Sequence, residues 1–139
     1  FRRVLFRSVG THLWLAPGSD LTQDAVWEAL REGRCFVAFD WLANAAGFEF
    51  EAIVNSEWHP MGSQVPLTSG LQLVAHAPLP VHWRLFAKGN LVSESDGRQF
   101  RWNPSEAGPH RLEAWLEVAG EVLPWILSNP IYVESPEDR

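Results

Sequence analysis

The sequence predicts a mainly β protein: an antiparallel β-sandwich of immunoglobulin-like type with one N-terminal α-helix at about residues 22–32. Three observations carry that reading. Apolar residues recur with period two in many short stretches. Turn-forming residues separate those stretches at regular intervals. One stretch near the start has helical spacing instead. At 139 residues the length suits one domain. The domain is expected to span residues 9–134, with a charged tail disordered over 135–139.

Val9 to Leu15 opens as a short apolar stretch, and Pro17-Gly18-Ser19-Asp20 turns it. TQDAVWEALREG then sets Ala25, Val26, Ala29 and Leu30 on one helical face. Thr22 or Ser19 can cap its start, Asp24 suits the positive end of the dipole, and Gly33 suits a left-handed exit. RCFVAFDW reads as a strand apolar on both faces. GFEFEAIVN sets Phe48, Phe50 and Ala52 against Glu49, Glu51 and Ile53. LQLVAHAP groups Leu71, Leu73, Ala75 and Ala77. VHWRLFAKGN sets Val81, Trp83, Leu85 and Ala87 against His82, Arg84, Phe86 and Lys88. Lys88-Gly89-Asn90 is a turn, and Ser95-Asp96-Gly97 reads as another, since Asp-Gly is a strong hairpin signal. GPHRLEAWLEVAG directs Leu112, Ala114, Leu116 and Val118 inward. Ala119-Gly120-Glu121 turns the chain into EVLPWILSNPIYV, where Pro124 and Pro130 suit an edge or a bulge.

Composition excludes several functions. The formal net charge is -6, with 11 basic and 17 acidic side chains, so a phosphate-binding basic patch is not expected and nucleic acid is not a partner. No apolar run approaches the roughly 18 residues that cross a bilayer, so no membrane partner is expected and the chain reads as soluble. Phe1 to Gly10 has the charges of a secretory signal but not its apolar stretch. Cys35 is the only cysteine, which rules out an intrachain disulfide and a thiolate metal cluster; the compartment stays open.

The usual chemical groups are scattered. His12, His59, His76, His82 and His110 show no metal-ligand spacing, though His76 and His82 flank Pro78-Leu79-Pro80 and would meet if that segment were a hairpin. Glu49 with Glu51, and Glu113 with Glu117, read as wet strand faces. Asp40, after the apolar FVAF, is the acidic residue with the best claim to burial. Cys35 sits in an apolar strand, where cysteine acts as a small hydrophobe. No metal or catalytic residue is therefore expected in this chain. Eight tryptophans remain. Indole rings either fill cores or stack on flat ligands. Trp83 alternates with core residues. Trp115 falls on the polar-leaning face, and Trp58, in SEWHPMG, is the best candidate for exposure. Trp58 and Trp115 are thus the candidate stacking residues of a stand-alone carbohydrate- or peptide-binding module.

Three stretches together resemble a known family: AVWEALREGRCFVAFDWLANAAGFEF, HPMGSQVPL and PWILSNPIYV. They are similar to the segment that follows the catalytic domain in bacterial PHP-domain metallohydrolases (polymerase and histidinol phosphatase type). The resemblance runs from about Val9 to Val133 and is generic over Leu71 to Trp102. Val9-Gly10-Thr11-His12 resembles the link just after the family's last metal ligand. It implies a C-terminal accessory domain of a metal-dependent phosphoesterase, with divalent metal ions and all catalytic residues on a missing N-terminal catalytic domain. That domain would be the partner, and the fragment alone would not be an enzyme. An apolar patch should mark the lost contact, with Leu13, Trp14, Leu15, Trp125, Ile126, Asn129 and Ile131 as its candidate residues.

The first eight residues, FRRVLFRS, resemble the translation of a common sequencing adaptor, TTC AGA CGT GTG CTC TTC CGA TCT. They are read as a library artefact joined to a truncated gene, so a native signal peptide is not observable. Without Arg2, Arg3 and Arg7 the basic count falls from 11 to 8 against 17 acidic residues.

Overall fold

The alternating stretches become strands in a computed structural model that describes residues 9–138; residues 1–8, the adaptor-like segment, lie outside the described residues. In chain order the elements are β1 (Gly10–Leu13), α1 (Gln23–Arg31), β2 (Cys35–Ala38), β3 (Glu49–Val54), β4 (Glu57–Pro60), β5 (Gln64–Pro66), β6 (Gln72–Ala87), β7 (Asn90–Trp102), β8 (Gly108–Val118), β9 (Glu121–Ser128) and β10 (Ile131–Glu134). Pro136–Asp138 add one 3-10 turn. The protein is therefore mainly β with one α-helix among the described residues.

All the strands join one sheet, with main path β1-β2-β9-β8-β6-β3-β4. β7 pairs with β6, and β10 joins β8 to β5. Every pairing is antiparallel except β5 with β10. The strands of the expected sandwich form one continuous sheet, and β6 supplies the reason. Its first half, Gln72–His76, pairs with β3, and its second half, His82–Ala87, pairs with β8. Between them Ala77–Pro80 stand opposite Arg98 alone in β7. Pro78 and Pro80 have no N–H to give a ladder, so pairing breaks there. The sheet forks at that break and curls into a half-barrel around one core.

The Asp-Gly signal is corrected. β7 runs without a turn from Asn90 to Trp102, and Gly97 (φ 128) answers the break in β6. The tight hairpins are Asn55-Ser56, Lys88-Gly89 and Ala119-Gly120, each with both residues at positive φ. That is the type I′ geometry whose twist suits antiparallel strands. At the end of the last hairpin Val118, expected inward, is 40% exposed.

The inward residues fill the fork. Phe50, Leu73, Trp83, Leu85, Leu112 and Ala114 are fully buried. Phe48 and Phe100 flank the Trp83 ring at 6.4 and 6.0 Å. The Thr22 hydroxyl caps α1 by accepting from the Ala25 N–H at 3.2 Å, and Gly33 exits at φ 70. Ala29 is buried, whereas Leu30, expected on the same face, is exposed beside Trp27. The helix rests on the sheet through its small residues.

A bulge corrects the expected apolar patch. Ala114 faces Ile126 but Trp115 faces Pro124, so Trp125 is the extra residue. Two successive side chains, Trp125 and Ile126, turn inward there. Both are fully buried, as is Ile131, and the Trp125 indole donates to the Ala43 carbonyl at 2.9 Å. None of the three can form an exposed surface. Leu13, Trp14, Leu15 and Asn129 are half-buried.

Candidate functional site

Strand alternation places two groups of side chains on the outer face of the sheet, one on each branch of the fork. The first lies on β3, β4, β6 and β7. Cross-strand register aligns Gln99, His76 and Glu49 in one row, and Arg101, Val74 and Glu51 in the next. Trp58 stands on β4 opposite Ile53 and is 60% exposed. Together these residues line a cleft of about 150 Å³. The His76 Nδ1 lies 3.4 Å from the Gly47 carbonyl. A carbonyl only accepts, so in that contact Nδ1–H is the donor. Arg101 donates to the Gln72 side-chain oxygen at 3.4 Å. The Glu51 carboxyl is pushed above its ordinary value, first by desolvation and then by the neighbouring Glu49 charge.

The second group lies on β6 and β8. Arg84 sits over the Trp115 ring at 5.3 Å and over Phe86 at 5.4 Å, and Arg111 sits over Phe86 at 4.2 Å. Such stacks are cation–π contacts. The Trp115 indole donates to Glu113 at 2.9 Å, and Arg111 donates to the other oxygen of Glu113. Glu113, read from sequence as part of a wet face, is 8% exposed. His82 lies between Asp96 at 2.8 Å and Glu94 at 3.1 Å. Hydrogen bonding to Asp96 and then to Glu94 raises its pKa. A cleft of about 280 Å³ opens between Pro80, His82, Asp96, Trp115, Glu117 and Val122.

The remaining sequence candidates are placed as follows. His76 and His82 sit on the two halves of β6 with separate partners, so they do not meet. Asp40 is half-buried and takes the His12 Nε2 at 2.9 Å, with the His12 ring stacked on Phe36 at 4.9 Å. Cys35 lies 3.1 Å from the Asn129 amide nitrogen. Leu13, Trp14 and Leu15 line a cleft of about 360 Å³ with Phe36 and Phe48. Among the described residues no group of three or more His, Cys, Asp or Glu is placed to hold a metal ion, and no helix is long and apolar enough to cross a membrane.

Sequence reasoning singled out both outer tryptophans but not their companions. Gln99 and His76 join Trp58 through register across four strands. The pattern within one strand carries no signal of that.

The three stretches that carry the family resemblance meet at one point. The Gly33 carbonyl accepts from the Asn129 amide at 3.1 Å. The Gly62 N–H donates to the Pro130 carbonyl at 2.8 Å. A Cβ on Gly62 would collide with the Glu32 carbonyl and come within 2.8 Å of the Gly33 carbonyl carbon, and Gly62 also has φ +89. Comparison with protein-family models, curated proteins and solved structures gives no match to this chain.

Proposed function

We propose that this chain is the C-terminal accessory domain of a PHP-type metal-dependent phosphoesterase, packing on a catalytic domain that precedes it. The observation that carries the reading is the junction of Gly33, Gly62, Asn129 and Pro130. Residues from REGRC, HPMG and SNP are far apart in sequence yet hold one another by hydrogen bonds. The resembling stretches thus act as one structural unit, as a shared fold would require. The two branches of the sheet would then correspond to the layers of an immunoglobulin-like sandwich. The contact surface is the β1 end, where Leu13, Trp14 and Leu15 border an open cleft. In the parent, divalent metals on the first domain would polarise the phosphoryl group and activate water, and this domain would wall one side. The test is the genomic sequence upstream of the Val9 codon, read from an independent library. The expected frame continues into a domain with His-x-His and Asp-x-His motifs. A start codon or signal peptide just upstream overturns the reading.

A second reading is favoured by one specific observation: each outer-face tryptophan lines a cleft with polar side chains. In it the sheet is a carbohydrate- or peptide-binding module. Indole NMR signals titrated with a panel of saccharides and peptides test it, and a panel that moves none of them sinks it.

A further inference from the structure

We propose that the cleft beside Trp58 binds a single non-acidic hexopyranose unit. The proposal rests on the binding-module reading and commits it to one site and one ligand class.

Size limits the occupant first. The cleft holds about 150 Å³. An engineered apolar cavity of about 150 Å³ accommodates one benzene ring. The cleft is thus on the scale of one ring and open to solvent, so further units of a chain would lie outside it. The aromatic wall comes next. Trp58 is 60% exposed, on β4 at the free end of the sheet path. A flat indole offers its face to the C–H side of a pyranose, burying area without a large entropy cost.

The polar wall selects the chemistry. Gln99, His76 and Glu49 occupy one row and Arg101 and Glu51 the next. Neighbouring strands lie about 4.8 Å apart and alternate residues about 6.8 Å apart along a strand. That grid spans about 10 Å by 7 Å, the scale of one ring with its hydroxyls. Glu49 and Glu51 accept; Arg101 donates; Gln99 does both. Hydroxyl groups both donate and accept, so a sugar ring can satisfy each of them. A uronic acid would bring a third carboxylate beside Glu49 and Glu51 and is disfavoured.

The Trp115 cleft is the poorer site by the same measures. Its indole N–H is committed to Glu113 and its ring is covered by Arg84.

The test is a titration of the full 139-residue chain, following the eight tryptophan indole N–H signals by 1H–15N NMR. The probes are glucose, galactose, mannose and glucuronate. Trp58→Phe and Trp115→Phe assign the two signals by loss. At least one neutral hexose is expected to move the Trp58 signal, saturating in the millimolar range, with glucuronate at least tenfold weaker. Trp58→Ala should abolish the heat of hexose binding measured by calorimetry, while the other seven indole signals keep their positions. Movement of the Trp115 signal alone overturns this site and leaves the binding-module reading standing. A heat of binding that survives Trp58→Ala, or glucuronate binding as tightly as the hexoses, also overturns the site. Silence of every indole toward all four probes overturns the monosaccharide proposal. Silence toward the wider saccharide and peptide panel removes the module reading as well.

Discussion

Trp58 and Trp115 are both outward residues of amphipathic strands, yet their surroundings differ. Trp115 is half-buried in side chains of its own sheet, with Glu113 on its N–H and Arg84 on its face. Trp58 is 60% exposed and lines a cleft. Alternation decides which face an indole takes. Cross-strand neighbours decide whether that face is already occupied. The difference separates an aromatic that holds the sheet together from one available to a ligand.

The largest expected effect is on stability. Trp115→Ala should destabilise the protein by about 2–3 kcal/mol, below the roughly 3–5 kcal/mol of a fully buried Trp→Ala because Trp115 is half-buried. Trp58→Ala should stay within about 0.5 kcal/mol, as for exposed substitutions. Urea midpoints measured at constant slope give both numbers. Equal costs would break the comparison.

Glu113→Ala sharpens it. The change removes the acceptor for both Arg111 and the Trp115 N–H. An expected loss of about 1–3 kcal/mol follows from stranding donors beside a buried position. A double-mutant cycle with Trp115→Phe should show non-additivity, because the two residues share one network. Strict additivity would mean that the Trp115–Glu113 bond contributes nothing to the fold.

Much of this architecture was legible in the sequence. Phe50, Leu73, Trp83, Leu85 and Leu112 were assigned to the core by period two, and the Thr22 cap and Gly33 exit bound the helix. Two of the failures share one cause: departures from regular pairing. Pro78 and Pro80 break β6, which turned Asp96-Gly97 from an apparent hairpin into the partner of a bulge. The bulge at Trp125 sent two neighbouring apolar residues inward, where a regular strand would have sent one out. Glu113 looked solvent-facing because its burial comes from Arg111 and Trp115, on its own strand two residues to either side. The cleft at Trp58 was half legible. Exposure of one indole followed from SEWHPMG, but the rows of polar side chains depend on register across three strands.

Titration distinguishes the two regions again. His82, on the Trp115 side, has a raised pKa through Asp96 and Glu94. Its folded form binds the proton more tightly than the unfolded chain does. That stabilisation is complete below the unfolded pKa of about 6.5 and is lost as pH rises through the higher folded value. His110 has the opposite sign: it is 1% exposed, and desolvation lowers its pKa. It therefore costs stability as pH falls below about 6.5. Stability profiles of His82→Gln and His110→Gln against the parent should diverge on opposite sides of that pH. A His82→Gln profile parallel to the parent above it would show that the carboxylate pair does not hold the imidazolium.

The smallest effect concerns Glu51, and its sign is the informative part. Desolvation and the Glu49 charge raise its folded pKa. The folded state therefore holds its proton more tightly than the unfolded state, and stability falls as pH rises through the window above about 4.5. At neutral pH the ionised carboxylate is a net cost to the fold. Glu51→Gln removes that cost, so the variant should be slightly more stable than the parent at pH 7, with the advantage gone below about pH 4.5. The same substitution should weaken the response of Trp58 to a neutral hexose, since an amide accepts less strongly than a carboxylate. Thermal melts at pH 7 and pH 4, run beside the sugar titration, test both halves. A variant that is less stable at pH 7 would move Glu51 to the structural side of the comparison, alongside Glu113.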